Sequence, residues 1–503
     1  METFINRFNE FVETFVNWLN NIIWSPALIA LCLGAGLFYS IATRFLQIRH
    51  FKDMVKLMFQ GKSSDAGVSS FQALSIALSG RVGTGNIAGV ATAIAFGGPG
   101  AVFWMWLIAF LGAGSAFVEA TLGQVYKTKQ DGQFRGGPAY YIEKGLKLKW
   151  YAILFAIVTV IATGILLPGV QANSIASSMK NAFGISTTIT GLVLVAVLAI
   201  IIFGGVKRIA RVAQVVVPFM ALGYILVALI VVFANISQLP DVLALIFKSA
   251  FGAEAAFGGI LGAAISWGVK RGIYSNEAGQ GTAPHAAAAA EVSHPAKQGL
   301  VQAFSVYIDT WFVCSATAFM ILITGMYNVT PEGQPAIVNN IGDVEPGPVF
   351  TQMAVESVLP GFGAPFVAIA LLFFAFTTIM AYYYMAETNL AYINRKVKRV
   401  WSEYALKIAL LAVVFYGSVR TATLAWDLGD IGVGSMAWLN IIAILLLTKP
   451  ALKVLKDYEK QKREGKDPVF DPAKVGINDA DFWEKEYKHE EFSAPTQGKT
   501  LDS

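Results

Sequence analysis

The residues with the most chemical potential in this chain are gathered in two short stretches that interrupt apolar runs. The first is Ser79-Gly80-Arg81-Val82-Gly83-Thr84-Gly85-Asn86-Ile87-Ala88-Gly89, inside residues 71–96. The second, 267–281, carries Lys270, Arg271, Tyr274, Ser275, Asn276 and Glu277, with Pro284 and His285 just beyond. Backbone amides, hydroxyls, carboxamides and a few charges suit reversible capture of a small zwitterion together with a cation. They do not suit bond breaking. Glu277 and His285 are the one conceivable acid–base pair, and no nucleophile, HExxH motif or cofactor loop accompanies them. The expectation is a protein that is not an enzyme and uses no cofactor.

The elements that must hold these residues are membrane helices. Of 503 residues, 55% are hydrophobic and only 14% charged, whereas soluble domains carry about a quarter charged residues. A helix needs about 20 apolar residues to cross the hydrocarbon. On that ruler spans fall near 26–44, 70–96, 101–126, 151–179, 187–204, 212–234, 257–290, 299–325, 361–388, 403–419 and 431–448. A glycine costs a helix interior about 1 kcal/mol against alanine, and an arginine at bilayer depth costs a few kcal/mol on insertion scales. Non-helical backbone survives in a membrane only where protein or a water-filled cavity surrounds it. Both polar stretches therefore read as broken helices lining a cavity.

Loop charge orients the spans. Basic residues follow the odd spans: Arg44, Arg49, Lys52, Lys56 and Lys62; Lys127, Lys129, Arg135, Lys144, Lys147 and Lys149; Lys207, Arg208 and Arg211; Lys297; Arg395, Lys396, Lys398 and Arg399. Even loops hold only Lys180, Lys248 and Arg420. This bias puts the odd loops and the C-terminus in the cytoplasm and the N-terminus outside, in the cell (inner) membrane. The net charge of +5 is explained by these loops, so nucleic acid is not an expected partner. Cys32 and Cys314 lie within spans and suggest no disulfide framework. Glu2, Glu10 and Glu13 against Arg7 argue against a cleavable signal peptide. The expected organisation is an extracytoplasmic segment 1–25, a transporter domain 26–448 and a cytoplasmic tail 449–503. The 127–149 loop reads as amphipathic and lying along the cytoplasmic surface. In the tail a short helix is expected near 453–463, then mostly disordered chain.

The two polar stretches sit five spans apart. An odd offset gives them opposite directions, as inverted repeats require, and discontinuous helices at matching positions of two halves mark a transporter's midplane site. The repeats would be about 70–234 and 257–448, with the first span an addition.

These motifs carry a resemblance. GRVGTGNIAGVATAIAFGGPGAVFWMW (80–106), QFRGGPAYYIEKGL (133–146), GVQAN (169–173), RGIYSNEAGQGTAPHAAAAA (271–290), HPAKQG (294–299) and AFTTIMAYYYMAETN (375–389) resemble the alanine/glycine:cation symporters, also called the sodium:alanine symporter family. The resemblance covers nearly all of the membrane portion. It implies an all-α, LeuT-like 5+5 inverted-repeat fold of the APC type, and sodium- or proton-coupled uptake of alanine, glycine or a related amino acid. Glutamine is the alternative substrate, and an amino-acid-gated channel or a sensor the alternative class. Oligomeric state is left open.

Each part of a zwitterion then has a candidate receptor. Helix N-termini suit a carboxylate, so the amides of Thr84 and Gly85 are expected to face it, with Gly85 allowing close approach. Arg81 either adds a charge-assisted contact to that carboxylate or forms an ion pair with Glu277, Glu119 or Asp309. The seventh span is expected to unwind over Tyr274, Ser275, Asn276 and Glu277, which the resemblance assigns to substrate binding. Gln171 joins them by the same route; read alone, a single glutamine in a span is interhelical glue. Sodium wants five or six oxygen ligands. The resemblance places one sodium between spans two and nine, with Ser79, Val82, Phe374, Thr377 and Thr378 as ligands; read alone, the threonines bond back to their own helix. Glu119, Asp309 and Glu387 are expected to be paired structurally rather than to relay protons. Trp267, Phe304 and Trp311 are candidates for the wall that excludes bulky side chains.

Overall fold

The structure, a computed structural model, describes residues 2–487 except 62, 65, 205, 255 and 398. Lys62 and Lys398 of the basic loops and tail residues 488–503 lie outside the described residues, as do the side chains of residues 2–12. The described chain is helical apart from two small hairpins, Thr128–Gln130 with Gln133–Arg135 and Asn328–Val329 with Val338–Asn339.

Among the described residues eight helices are long and apolar enough to cross a membrane: Glu13–Ala42, Gly100–Val125, Lys149–Phe183, Arg208–Ala234, Pro295–Thr324, Gly363–Asn394, Val400–Val419 and Ala422–Leu446. Thr187–Ile202 is a shorter apolar helix, started by the Ser186 hydroxyl, which accepts from the Ile189 amide. The two remaining expected spans are the broken ones. The second is Ser70–Arg81 and then Gly85–Gly97; the seventh is Leu261–Asn276 and then Ala283–Ala289. The chain is an all-helical, multi-pass membrane protein.

Helices that correspond between the halves pack against each other: the third span on the eighth, the fourth on the ninth and the fifth on the tenth. Elements beside a two-fold pseudo-axis must meet their own counterparts. The two broken helices meet as well. A Cβ added at Gly85 would lie 3.1 Å from Ser275 Cα and 3.2 Å from the Tyr274 ring, so glycine at 85 is what lets the breaks approach. This is the inverted-repeat arrangement, with the breaks at its centre.

Three peripheral segments pack onto the spans. Residues 1–25 include a helix, Glu2–Ile23, fastened to the eleventh span by Asn20 Nδ2 on Asp427 (3.0 Å), Trp24 Nε1 on the Asp430 carbonyl (2.8 Å) and Trp438 Nε1 on the Ile23 carbonyl (2.9 Å). The 127–149 loop packs one face onto the spans. Its helix Pro138–Leu146 buries Tyr140, Tyr141 and Ile142 against the spans, and Tyr141 donates to Asn440. The tail is folded through Tyr487 rather than disordered beyond its helix Thr448–Arg463. Phe470 and Trp483 are buried, Trp483 Nε1 donates to the Gln124 carbonyl (2.9 Å), and Lys297 meets Asp467 at 2.6 Å. The ammonium of Lys127 sits 4.3 Å and 4.4 Å from the ring centres of Phe134 and Phe482. These aromatic anchors offset the ordering entropy that the segment's polar composition alone would not.

Candidate functional site

The first half of the second span starts from a capping box, Ser69 and Gln72 bonding each other's backbone amides at 3.0 and 3.2 Å. It ends at Arg81, and the chain turns helical again at Thr84, where the glycines place the break. The Ser79 and Val82 carbonyls at the end of this half-helix point at the ninth span. Thr378 Oγ1 lies 2.8 Å from Ser79 O, 3.0 Å from Phe374 O and 3.4 Å from Val82 O. A hydroxyl carries one proton, so the Ser79 and Val82 carbonyls compete for the Thr378 proton with Phe374 O, which Thr377 Oγ1 also serves. An oxygen-rich cluster short of protons is a place for a hard cation. Thr377 Oγ1 donates to Phe374 O at 2.9 Å, one turn back along its own helix. Ser79, Val82, Phe374, Thr377 and Thr378 are all brought together and buried.

A few ångströms along, the Thr84 amide donates to Gln171 Oε1 at 3.0 Å, and the Gly83 amide to Asn86 Oδ1 at 2.8 Å. Gln171 thus occupies the place expected for a substrate carboxylate oxygen on Thr84. Glycine at 83 is required here, because a Cβ would fall 2.4 Å from Thr378 Oγ1. The close approach at Gly85 is made by Ser275 rather than left open.

The seventh span breaks later than expected. Its first half stays helical through Tyr274, Ser275 and Asn276, and the unwound stretch is 277–282, with positive φ at Glu277 (55°), Gly279 (82°) and Gly281 (87°). Tyr274, Ser275 and Asn276 are therefore the last turn of a half-helix, whose C-terminal carbonyls carry partial negative charge. Asn276 bridges outward to Thr310 Oγ1 (3.3 Å) and back to the Ala278 amide (3.0 Å). Glu277 Oε2 accepts from Thr282 Oγ1 at 2.8 Å, while its Oε1 is buried with no partner. The Thr84 hydroxyl is also buried and unpartnered. A carboxylate oxygen and a hydroxyl left unsatisfied inside a protein mark a place where another polar group belongs.

Arg81 is not in an ion pair with Glu277, Glu119 or Asp309. Its Nη1 donates to the Gln302 carbonyl (3.2 Å) and to Ser305 Oγ on the eighth span, and Nε and Nη2 have no partner. Phe304 and Trp311 do not wall the site: Phe304 packs on Phe51 (5.5 Å), and Trp311 is 41% exposed, stacked between Phe110 and Tyr307. Trp267 lies under Arg271 (4.9 Å) and against Phe96. The ring that faces Tyr274 is Trp426, at 5.0 Å. Over it Arg271 pairs with Asp430 at 2.8 Å, joined by Lys270 at 2.7 Å. This clasp ties the seventh span to the eleventh beneath a cavity of about 470 Å³ that Asn20, Glu332 and Asp427 also line.

Residues 9–472 match the model of the sodium:alanine symporter family. The chain belongs to that family. It is 69% identical over 476 residues, 95% of this chain and 98% of the relative, to the YrbD protein of Bacillus subtilis (strain 168). It is 58% identical over 454 residues, 89% of this chain and 100% of the relative, to the "Sodium/proton-dependent alanine carrier protein" of Bacillus sp. (strain PS3). A "Sodium/alanine symporter AgcS" of Methanococcus maripaludis is 38% identical over 461 residues, 90% of this chain and 98% of the relative.

Within this family member, two acids do more than the sequence indicated. Asp309 sits in a π-helical turn, Ile308–Cys314, of the eighth span. It accepts from Asn86 Nδ2 (2.7 Å) on one broken helix, from Ser275 Oγ (3.0 Å) on the other and from Thr310 Oγ1 (2.8 Å). Glu119 accepts from the amides of Gly279 (3.2 Å) and Gly281 (3.1 Å) and from Asn440 Nδ2 (2.7 Å). Asp309 joins the two broken helices and Glu119 holds the seventh-span break, and neither makes an ion pair among the described residues. Glu387 pairs with Arg135 through two bonds of 2.7 and 2.8 Å. Asn86 was legible as the start of a half-helix, but only the fold brings Asp309 to it.

Proposed function

We propose that this chain is a secondary symporter that couples inward sodium flux to uptake of a small neutral amino acid, alanine first, by alternating access. The observation that carries the reading is the buried cluster of Ser79, Val82 and Phe374 carbonyls around the single hydroxyl of Thr378. Sodium takes these oxygens, the hydroxyl turning its proton away. Because the ligands come from spans two and nine, the ion fixes the second-span break against the ninth span and steadies Gly83, Thr84 and Gly85 one residue on. Ion and substrate therefore tighten each other reciprocally.

The substrate carboxylate takes the Thr84 amide and the unpaired Thr84 hydroxyl, displacing the Gln171 oxygen, which then bonds the substrate from the side. The ammonium goes to the carbonyls that end the Tyr274, Ser275 and Asn276 turn and to the unpaired Glu277 oxygen. Arg81 keeps its contacts to the eighth span, and its two free N–H groups balance the buried acids. Outside, the Arg271–Asp430 clasp must open to admit substrate; inside, the folded tail spans the cytoplasmic ends. The basic odd-numbered loops support an N-terminus outside and a C-terminus in the cytoplasm. Alanine as substrate is supported by two relatives named as alanine carriers, which match along nearly their whole length.

Purified protein in proteoliposomes tests this directly. Labelled alanine is expected to accumulate under an inward sodium gradient and to be displaced best by glycine and alanine in a competition panel. Uptake indifferent to both sodium and proton gradients overturns the reading, as do currents far above transporter turnover.

A further inference from the structure

A second built cavity, of about 760 Å³, opens outside the broken-helix site, between the turn after the first span, the helix Phe51–Met58, the third span and the eighth span. Its wall is aromatic: Phe110, Trp311 and Tyr307 form a continuous stack, with ring centres 6.1 Å and 4.6 Å apart. Its rim is basic, with Arg49 and Lys52. Arg49 is engaged by Glu459 (2.7 Å) and by the Thr43 carbonyl (2.9 Å). The carboxylate of Asp53, also at the rim, is taken by His50 and Lys462. Lys52 has no ion-pair partner among the described residues and is exposed.

Two further lining groups are buried and unsatisfied. Gln47 and Tyr307 are each 2% exposed, yet Gln47 Oε1 and the Tyr307 hydroxyl have no protein partner. The other end of the Gln47 amide is fixed by donation to Ser40 Oγ (2.6 Å) and the Phe110 carbonyl (3.3 Å), so its oxygen is held in place as an acceptor. A groove with an apolar wall, an unneutralised cation at the rim and two orphaned polar atoms between them has the chemistry of a lipid seen from tail to headgroup.

We infer that this groove is a specific site for one anionic phospholipid with a hydroxylated headgroup, of the phosphatidylglycerol class. The acyl chain lies along Phe110, Tyr307 and Trp311. The Tyr307 hydroxyl donates to an ester carbonyl, a headgroup hydroxyl donates to Gln47 Oε1, and the phosphate meets Lys52. Tyr307 immediately precedes the π-helical turn that carries Asp309, so the lipid braces from behind the turn that ties the two broken helices together.

The test is native mass spectrometry of the full chain, titrated with phosphatidylglycerol and, separately, with phosphatidylcholine. Wild type is expected to retain phosphatidylglycerol selectively. Lys52→Ala weakens that retention by about fivefold, the worth of one basic residue near an anionic surface, and Tyr307→Phe weakens it while leaving phosphatidylcholine adducts unchanged. Lys56→Ala, on the same helix but outside the cavity, leaves retention as in wild type. Equal retention of the two lipids overturns the inference, as does an equal loss in Lys52→Ala and Lys56→Ala, which would mean bulk surface charge alone. Unaltered retention in both Lys52→Ala and Tyr307→Phe also overturns it. The readout is binding and is independent of whether sodium drives uptake.

Discussion

The two broken helices occupy matching places in the repeats and are built in opposite ways. The break in the second span is short, between Arg81 and Thr84, and is held by groups reaching in from other spans: Gln171 on the Thr84 amide, Thr378 among the carbonyls. The break in the seventh span is longer, 277–282, passes through three positive φ angles, and is braced by a carboxylate, Glu119, on two of its own amides. One break leaves carbonyls facing a helix that has too few protons to satisfy them. The other leaves a carboxylate oxygen of Glu277 without a partner. The two breaks therefore differ in chemistry, and the proposed function gives the ion and the carboxylate to the first and the ammonium to the second.

The largest effect that breaks this contrast should come from Glu119→Ala. It strands the Gly279 and Gly281 amides, at about 1–3 kcal/mol for each unsatisfied group, while Asn440 Nδ2 keeps its bond to the Gly279 carbonyl. The expected outcome is a lower melting temperature in detergent and loss of alanine uptake, with Glu119→Gln, which keeps acceptor oxygen, intermediate in both. Next comes Gly83→Ala, whose Cβ would press on Thr378 Oγ1. It should abolish sodium stimulation of alanine binding while leaving the unfolding free energy without sodium within about 1–3 kcal/mol of wild type, the usual cost of overpacking. Asp309→Ala removes the one acid bonded to both breaks, and alanine affinity measured by calorimetry should fall about tenfold, 1.4 kcal/mol. The smallest effect sharpens the contrast by its absence. Trp311→Leu, on the outer face of the eighth span, should leave the ranking of competing amino acids unchanged, whereas Trp426→Leu, facing Tyr274, should alter it.

How far the sequence carries the fold follows from what each element advertises. Apolar runs of membrane-spanning length are a composition signal, and all eleven segments stand where those runs are, the two interrupted ones included. The break in the second span was legible to within a residue, since Gly80, Gly83 and Gly85 crowd an otherwise apolar run. The break in the seventh was read too early, because Tyr274 to Asn276 are polar without being helix breakers, and the turn needs Glu277, a non-glycine, at positive φ. Nothing in the sequence marks the faces that Phe304 and Trp311 take: Phe304 packs on Phe51, and Trp311 is 41% exposed two residues after the buried Asp309. The tail was misread from its charge and prolines, whereas Phe470, Phe482 and Trp483 anchor it. No periodicity reports such long-range contacts as Thr378 with Ser79 or Asp309 with Asn86; those become visible only when the spans are assembled.

The central claim is that the carbonyl cluster around Thr378 is the sodium site and that the second-span break is where coupling begins. It is tested most directly by alanine binding to purified protein across a sodium titration, in wild type and in Thr378→Val, which keeps the shape and removes the hydroxyl. The account predicts that wild-type alanine affinity rises with sodium, and that Thr378→Val needs at least about tenfold more sodium for the same gain while its sodium-free affinity stays within about twofold of wild type. A Thr378→Val protein with an unchanged sodium requirement, or one whose alanine affinity is lost equally with and without sodium, would contradict it.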